Sequence, residues 1–102
     1  MIVINARIET SEENIAALKE AILEMEHSTL TDEEGCEDYT FSVELGNPNV
    51  MRITERWKDA EALKAHFQTP HMAKFQAAMA ANPSSGMDLK CYEVTEIPLP
   101  RG

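Results

Sequence analysis

The sequence predicts an α+β fold, a ferredoxin-like four-stranded antiparallel sheet with helices on one face. Three observations carry this prediction. The hydrophobic pattern runs strand, helix, strand, strand, helix, strand. Each helical segment has one apolar stripe, which suits packing on a single sheet face. The second helical segment breaks at Thr69-Pro70 and restarts.

The elements follow in order. Ile2 to Glu9 alternates, with Ile2, Ile4, Ala6 and Ile8 on one face and Val3, Asn5, Arg7 and Glu9 on the other. Thr10 with Glu13 matches a capping box. The helix after it places Ile15, Leu18, Ile22 and Met25 on one stripe and ends between His27 and Asp32. A second strand covers Cys36 to Leu45, with Tyr39, Phe41, Val43 and Leu45 sharing a face. Gly46-Asn47-Pro48-Asn49 reads as a turn, so the third strand, Val50 to Trp57, returns antiparallel. Met51, Ile53, Glu55 and Trp57 share one of its faces.

Asp59 caps a helix starting near Ala60. Thr69 and Pro70 form a new N-cap and first helical position. Met72, Phe75 and Met79 continue the apolar stripe, and Asn82 to Gly86 ends it. Met87 to Ile97 reads as the last strand. Residues 1–97 are thus expected to form one domain, with 98–102 as a tail.

Composition narrows the classes. The formal charge is -9, which opposes binding to a phosphate backbone, so no nucleic-acid partner is expected. No run of apolar residues is long enough to span a membrane. The amino terminus MIVINARIET reads as a strand rather than a signal peptide, so the expected location is cytoplasmic. Cys36 and Cys91 form no CxxC pair and read as two buried thiols. The sheet face opposite Ile2 and Ile4 carries Val3 and is not wholly polar. A second copy packed sheet to sheet is the expected cover.

Chemistry-bearing residues concentrate between Ile53 and Met72. His66 and His71 are the acid–base candidates, because imidazole as a class titrates near neutrality. On an unbroken helix they would lie about 140° apart. The Thr69-Pro70 restart can bring the rings together; otherwise His66 faces solvent and His71 makes a local hydrogen bond. Glu55 either orients a histidine or accepts a substrate hydroxyl, or else pairs with Arg7 or Arg52. Trp57 is either core packing or an aromatic wall for substrate. Tyr39 and Asn5 are candidates to position substrate oxygens. Met25, Met72, Phe75 and Met79 read as core. His27, late in the first helix, has no catalytic role.

Three segments carry a family resemblance: Glu34-Gly35-Cys36-x-x-Tyr39, Glu55-x-Trp57, and Leu63-x-x-His66-x-x-Thr69-Pro70-His71-Met72. Together they resemble the antibiotic biosynthesis monooxygenase domain and are most similar to its quinol monooxygenase branch. The resemblance implies a homodimer forming a dimeric α+β barrel. It implies oxidation of quinols or phenols by dioxygen without metal, flavin or haem. The protein then supplies binding, deprotonation and a dry pocket. Haem-degrading relatives carry a tryptophan where His66 stands and a ligand histidine near Gln76, which argues against haem here.

The expected function is therefore a cofactor-independent monooxygenase on a quinol or small phenol. His66 or His71 would take the phenolic proton, with Asn5, Tyr39, Glu55 and Trp57 binding substrate. A small-carbonyl isomerase on the same scaffold is the alternative. A non-enzymatic, dimeric metabolite-binding domain is a third, favoured if both histidines lie outside a pocket filled by Trp57, Phe67 and Met72.

Overall fold

A computed structural model of the chain describes residues 1–101. The elements are β1 (Ile2–Glu9), α1 (Glu12–Asp32), β2 (Cys36–Glu44), β3 (Asn47–Trp57), α2 (Ala60–His66), α3 (Pro70–Ala81) and β4 (Gly86–Glu93). The strands form one antiparallel sheet in the order β2-β3-β1-β4, the ferredoxin-like arrangement. No helix among the described residues is long and apolar enough to cross a membrane.

Local chemistry explains most boundaries. Ser11, rather than Thr10, is the N-cap of α1, and its hydroxyl accepts from Asn14 N at 3.0 Å. Asp59 caps α2 by accepting from Ala62 N. Thr69 caps α3, with Pro70 at the first position, where a missing N–H costs nothing. Leu45 and Gly46 alone make the β2–β3 turn, and Asn47 to Asn49 belong to β3.

The core lies between the helices and one sheet face. Ile2, Ile4, Ala6 and Ile8 of β1, and Met51, Ile53 and Trp57 of β3, are buried there. Leu18, Ile22, Met25 and Thr29 form the buried stripe of α1. Phe75 of α3 closes the layer, with Met72 and Met79 partly buried against it. A register shift between Cys36 and Asp38 adds one residue to β2. Cys36 and Tyr39 therefore point to the same face although three positions apart.

The expected barrel does not form. The sheet is open: β2 pairs only with β3, and β4 only with β1. A barrel requires every strand to pair on both sides. The exposed edge of β2 is partly blunted, because Glu26 of α1 accepts from Phe41 N at 2.7 Å.

The sheet face away from the helices carries Val3, as the sequence indicated. It is mostly charged, with Val3 and Tyr92 side by side at one end. Glu44 binds Arg7 at 3.1 Å and Arg52 at 2.6 Å, Arg56 meets Glu37, and Lys90 meets Asp88. These ion pairs keep most of the face compatible with water. The thiols are not both buried. Cys36 is half-buried and Cys91 exposed, because β4 is exposed along nearly its whole length.

Candidate functional site

The site is built where α1 ends, β2 begins and the split helix turns. Gly35 opens this corner: a Cβ there would run into the Cβ of Ala62. Its carbonyl also accepts from Lys58 N at 2.9 Å. The start of β2 is thereby held against α2, and Glu33 is brought beside the helix junction.

Thr69 fixes that junction. Its hydroxyl donates to the carbonyl of His66 at 2.8 Å and accepts from Met72 N at 3.2 Å. The end of α2 and the start of α3 are thus tied through one side chain. His66, the last residue of α2, and His71, the second of α3, converge, with ring centroids 6.2 Å apart.

Both rings meet one oxygen. His66 Nδ1 lies 2.8 Å, and His71 Nε2 2.7 Å, from Glu33 Oε2. The His66 side chain is 1% exposed, Glu33 9% and His71 12%. A carboxylate only accepts, so the proton in each contact sits on the histidine nitrogen. His66 Nδ1–H and His71 Nε2–H therefore both donate to Glu33. In the neutral form of the ring Nε2 is then the acceptor, and this atom is buried with no hydrogen-bond partner in the protein. Glu33 Oε1 and Thr29 Oγ1 are likewise buried and unpartnered.

Aromatic rings frame the His66 imidazole. Trp57 lies 4.8 Å away and Tyr39 5.3 Å between centroids. Trp57 is fully buried, and its Nε1–H donates to Glu55 Oε1 at 3.0 Å. Glu55 makes no ion pair with Arg7 or Arg52, since both arginines bind Glu44 on the opposite sheet face. Burial raises the Glu55 carboxyl above its ordinary range, partly offset by the Trp57 hydrogen bond and by His66. The Tyr39 hydroxyl is also pushed up, first by burial and then by Glu55, so it remains a proton donor. Burial and the nearby Glu33 push the Cys36 thiol up to about 11, which keeps it a thiol rather than a nucleophilic thiolate.

The structure therefore gathers His66, His71, Tyr39, Glu55 and Trp57. It does not gather Asn5, which is exposed in β1 opposite Thr54 and Lys90, on the far side of the sheet from the histidines. Nor do the histidines lie outside a closed pocket: His66 is buried, while Phe67 is 52% exposed. Glu33 joins the site unannounced. A signal for it exists in the sequence: Asp32-Glu33-Glu34 places acids at the C-terminus of α1, against the helix dipole, with no basic residue in the last turn.

Open space lies next to this cluster rather than in it. A cavity of about 270 Å³ between α1 and the β2–β3 hairpin is lined mainly by apolar side chains, among them Ile15, Ile22, Phe41, Val43 and Met51. Phe41 separates it from the site, with its ring 5.6 Å from that of Tyr39. His71 borders a small cavity of about 70 Å³ between α1 and α3.

Known proteins share this architecture. Residues 1–78 match the family model described as antibiotic biosynthesis monooxygenase. YcnE of Bacillus subtilis, which carries the provisional name of a monooxygenase, is 33% identical over 97 residues, covering 94% of this chain and 100% of YcnE. A solved structure from Bacteroides thetaiotaomicron, described as of unknown function and a possible oxidoreductase, is 30% identical. It has a TM-score of 0.80 and covers 91% of this chain and 96% of that one. A structure from Deinococcus radiodurans, provisionally named an antibiotic biosynthesis monooxygenase, has a TM-score of 0.87 over 100% of both chains. At 24% identity it speaks for the fold alone. These matches support a monooxygenase-type, oxidoreductase role at the level of the family. With the family model spanning most of its length, the chain belongs to the antibiotic biosynthesis monooxygenase family.

Proposed function

We propose that the protein is a cofactor-independent monooxygenase that oxidises a quinol or related small phenol with dioxygen, as in the quinol monooxygenase branch. One observation carries the reading. His66 Nε2 is buried without a protein partner, on a ring whose Nδ1 meets Glu33 at 2.8 Å. A base fixed by a carboxylate and aimed into an aromatic enclosure is the arrangement that phenol deprotonation needs.

The steps balance. Nε2 takes the phenolic proton, and the resulting anion gives one electron to dioxygen. The substrate radical and superoxide then join through a C–O bond. The His66 imidazolium returns its proton to the peroxide. Loss of water from the H–C–O–OH group leaves a carbonyl, so one oxygen atom stays in the product and the other leaves as water. All electrons come from the substrate. Tyr39, held protonated, donates a hydrogen bond to a substrate oxygen, and Trp57 packs the aromatic ring. His71 steadies Glu33 rather than touching substrate.

Entry requires movement at α2. This helix has seven residues and buries only His66, so it opens at lower cost than the core elements. Opening would give substrate access to the His66 enclosure. The test is oxygen consumption with a panel of hydroquinones and small phenols in chelator-treated buffer. Enzyme-dependent uptake with one oxygen atom from labelled dioxygen in the product is expected. No uptake across the panel would overturn the proposal.

A further inference from the structure

The geometry points to a second use of the same three side chains, as a site for a borderline divalent cation such as Zn²⁺ that switches the base off. The ligand atoms are Glu33 Oε2, His66 Nδ1 and His71 Nε2, all within 4.8 Å of one another. Two imidazoles and one carboxylate form a donor set that suits zinc and its transition-metal neighbours. Magnesium and calcium prefer oxygen ligands alone.

Distances allow the exchange. The two nitrogens stand 2.8 and 2.7 Å from the shared oxygen. Tetrahedral coordination at about 2.1 Å would set ligand atoms about 3.4 Å apart. Admitting the ion lengthens the two contacts to Glu33 by about 0.6 Å and brings the nitrogens, now within 4.8 Å, to about 3.4 Å of each other. A second observation also points to a ligand. Glu33 Oε1 is buried and unpartnered, so this carboxylate is only half satisfied by the histidines. A cation beside Glu33 would offset the charge of this carboxylate. Three protein ligands leave a fourth position for water.

The consequence for chemistry follows from the tautomers. A metal bound at His66 Nδ1 displaces the proton from that nitrogen. The proton then sits on Nε2, and the lone pair that takes the substrate proton disappears. His71 likewise shifts its proton from Nε2 to Nδ1. The cation therefore acts as an inhibitor of the proposed reaction, not as its cofactor. This second half rests on the monooxygenase reading; the binding itself does not.

Binding is measured by competition of Zn²⁺ with a chromophoric chelator, and independently by the visible spectrum of Co²⁺-loaded protein, without substrate. One equivalent per chain is expected, with Mg²⁺ and Ca²⁺ failing to compete. Glu33→Gln and His71→Ala should each weaken zinc binding about 100-fold, the upper end of what supporting residues of metal sites contribute. Glu33→Gln is nearly isosteric, and circular dichroism confirms that each variant is folded. Wild-type protein that binds no equivalent, or variants that bind as tightly as wild type, would overturn the proposal. Protein that binds zinc but consumes oxygen with no phenol would overturn the oxygenase reading and leave the metal site standing. Where turnover is found, stoichiometric zinc should abolish it, and a chelator should restore it. Full turnover by the zinc-saturated protein would refute the switch.

Discussion

Replacing His66 by asparagine is expected to lower kcat about 100- to 10,000-fold, the usual contribution of a positioned general base. The asparagine amide can still donate to Glu33 in place of Nδ1, so the corner keeps its hydrogen bond. What is lost is Nε2, the buried atom with no protein partner. Substrate affinity should change much less than kcat, because the imidazole works in proton transfer. His71→Asn is the control. Its ring reaches the chemistry only through Glu33, at 2.7 Å, so its effect on kcat should be the smaller of the two. Steady-state oxygen consumption by both variants decides this. Equal losses would show that the histidines act as one structural unit, with no separate base.

The largest effect on stability is expected at Trp57. Trp57→Ala should cost about 3–5 kcal/mol in denaturant unfolding. That is a large part of the about 5–15 kcal/mol that holds a domain folded. The ring is fully buried, packs on Tyr39 and His66, and donates to Glu55. Its removal leaves a cavity and a buried carboxyl without its donor. Glu55→Gln should act in the opposite direction, because an amide oxygen still accepts from Trp57 and carries no charge to bury. The sign follows from linkage. Burial raises the folded carboxyl above its ordinary value. As pH climbs past the ordinary carboxylate range, the unfolded chain releases a proton that the fold still holds. Wild-type stability therefore falls as pH rises through the folded value. Glu55→Gln should remove that fall, matching wild type at low pH and exceeding it at neutral pH. Unfolding curves across pH give the answer, and a variant less stable at neutral pH would refute it.

The sequence reveals what is set locally. Asp59, Thr69 and Pro70 mark the split helix because caps and a first-position proline act within a few residues. That break is what lets His66 and His71 converge. Strand parity also places Tyr39, Glu55 and Trp57 on one face. What depends on packing is harder to read. Glu33 belongs to the site only because Gly35 allows α2 to approach the start of β2. The bulge after Cys36 puts that thiol beside Tyr39, where simple alternation would separate them. The face of Asn5 is readable from its parity. Its separation from the site follows only once the helices are known to lie on the Ile2 and Ile4 side. Cys91 escapes burial because no helix reaches over β4, a matter of layer width that no local pattern encodes.

The central claim is that Glu33 holds the proton of His66 on Nδ1 and leaves Nε2 free to act as a base. Nitrogen-15 NMR of the histidine side chains tests it most directly, in metal-free buffer at neutral pH, with His66→Asn assigning the signal. The account predicts that His66 carries its proton on Nδ1, with Nε2 unprotonated. A His66 ring that carries a proton on Nε2 would contradict it.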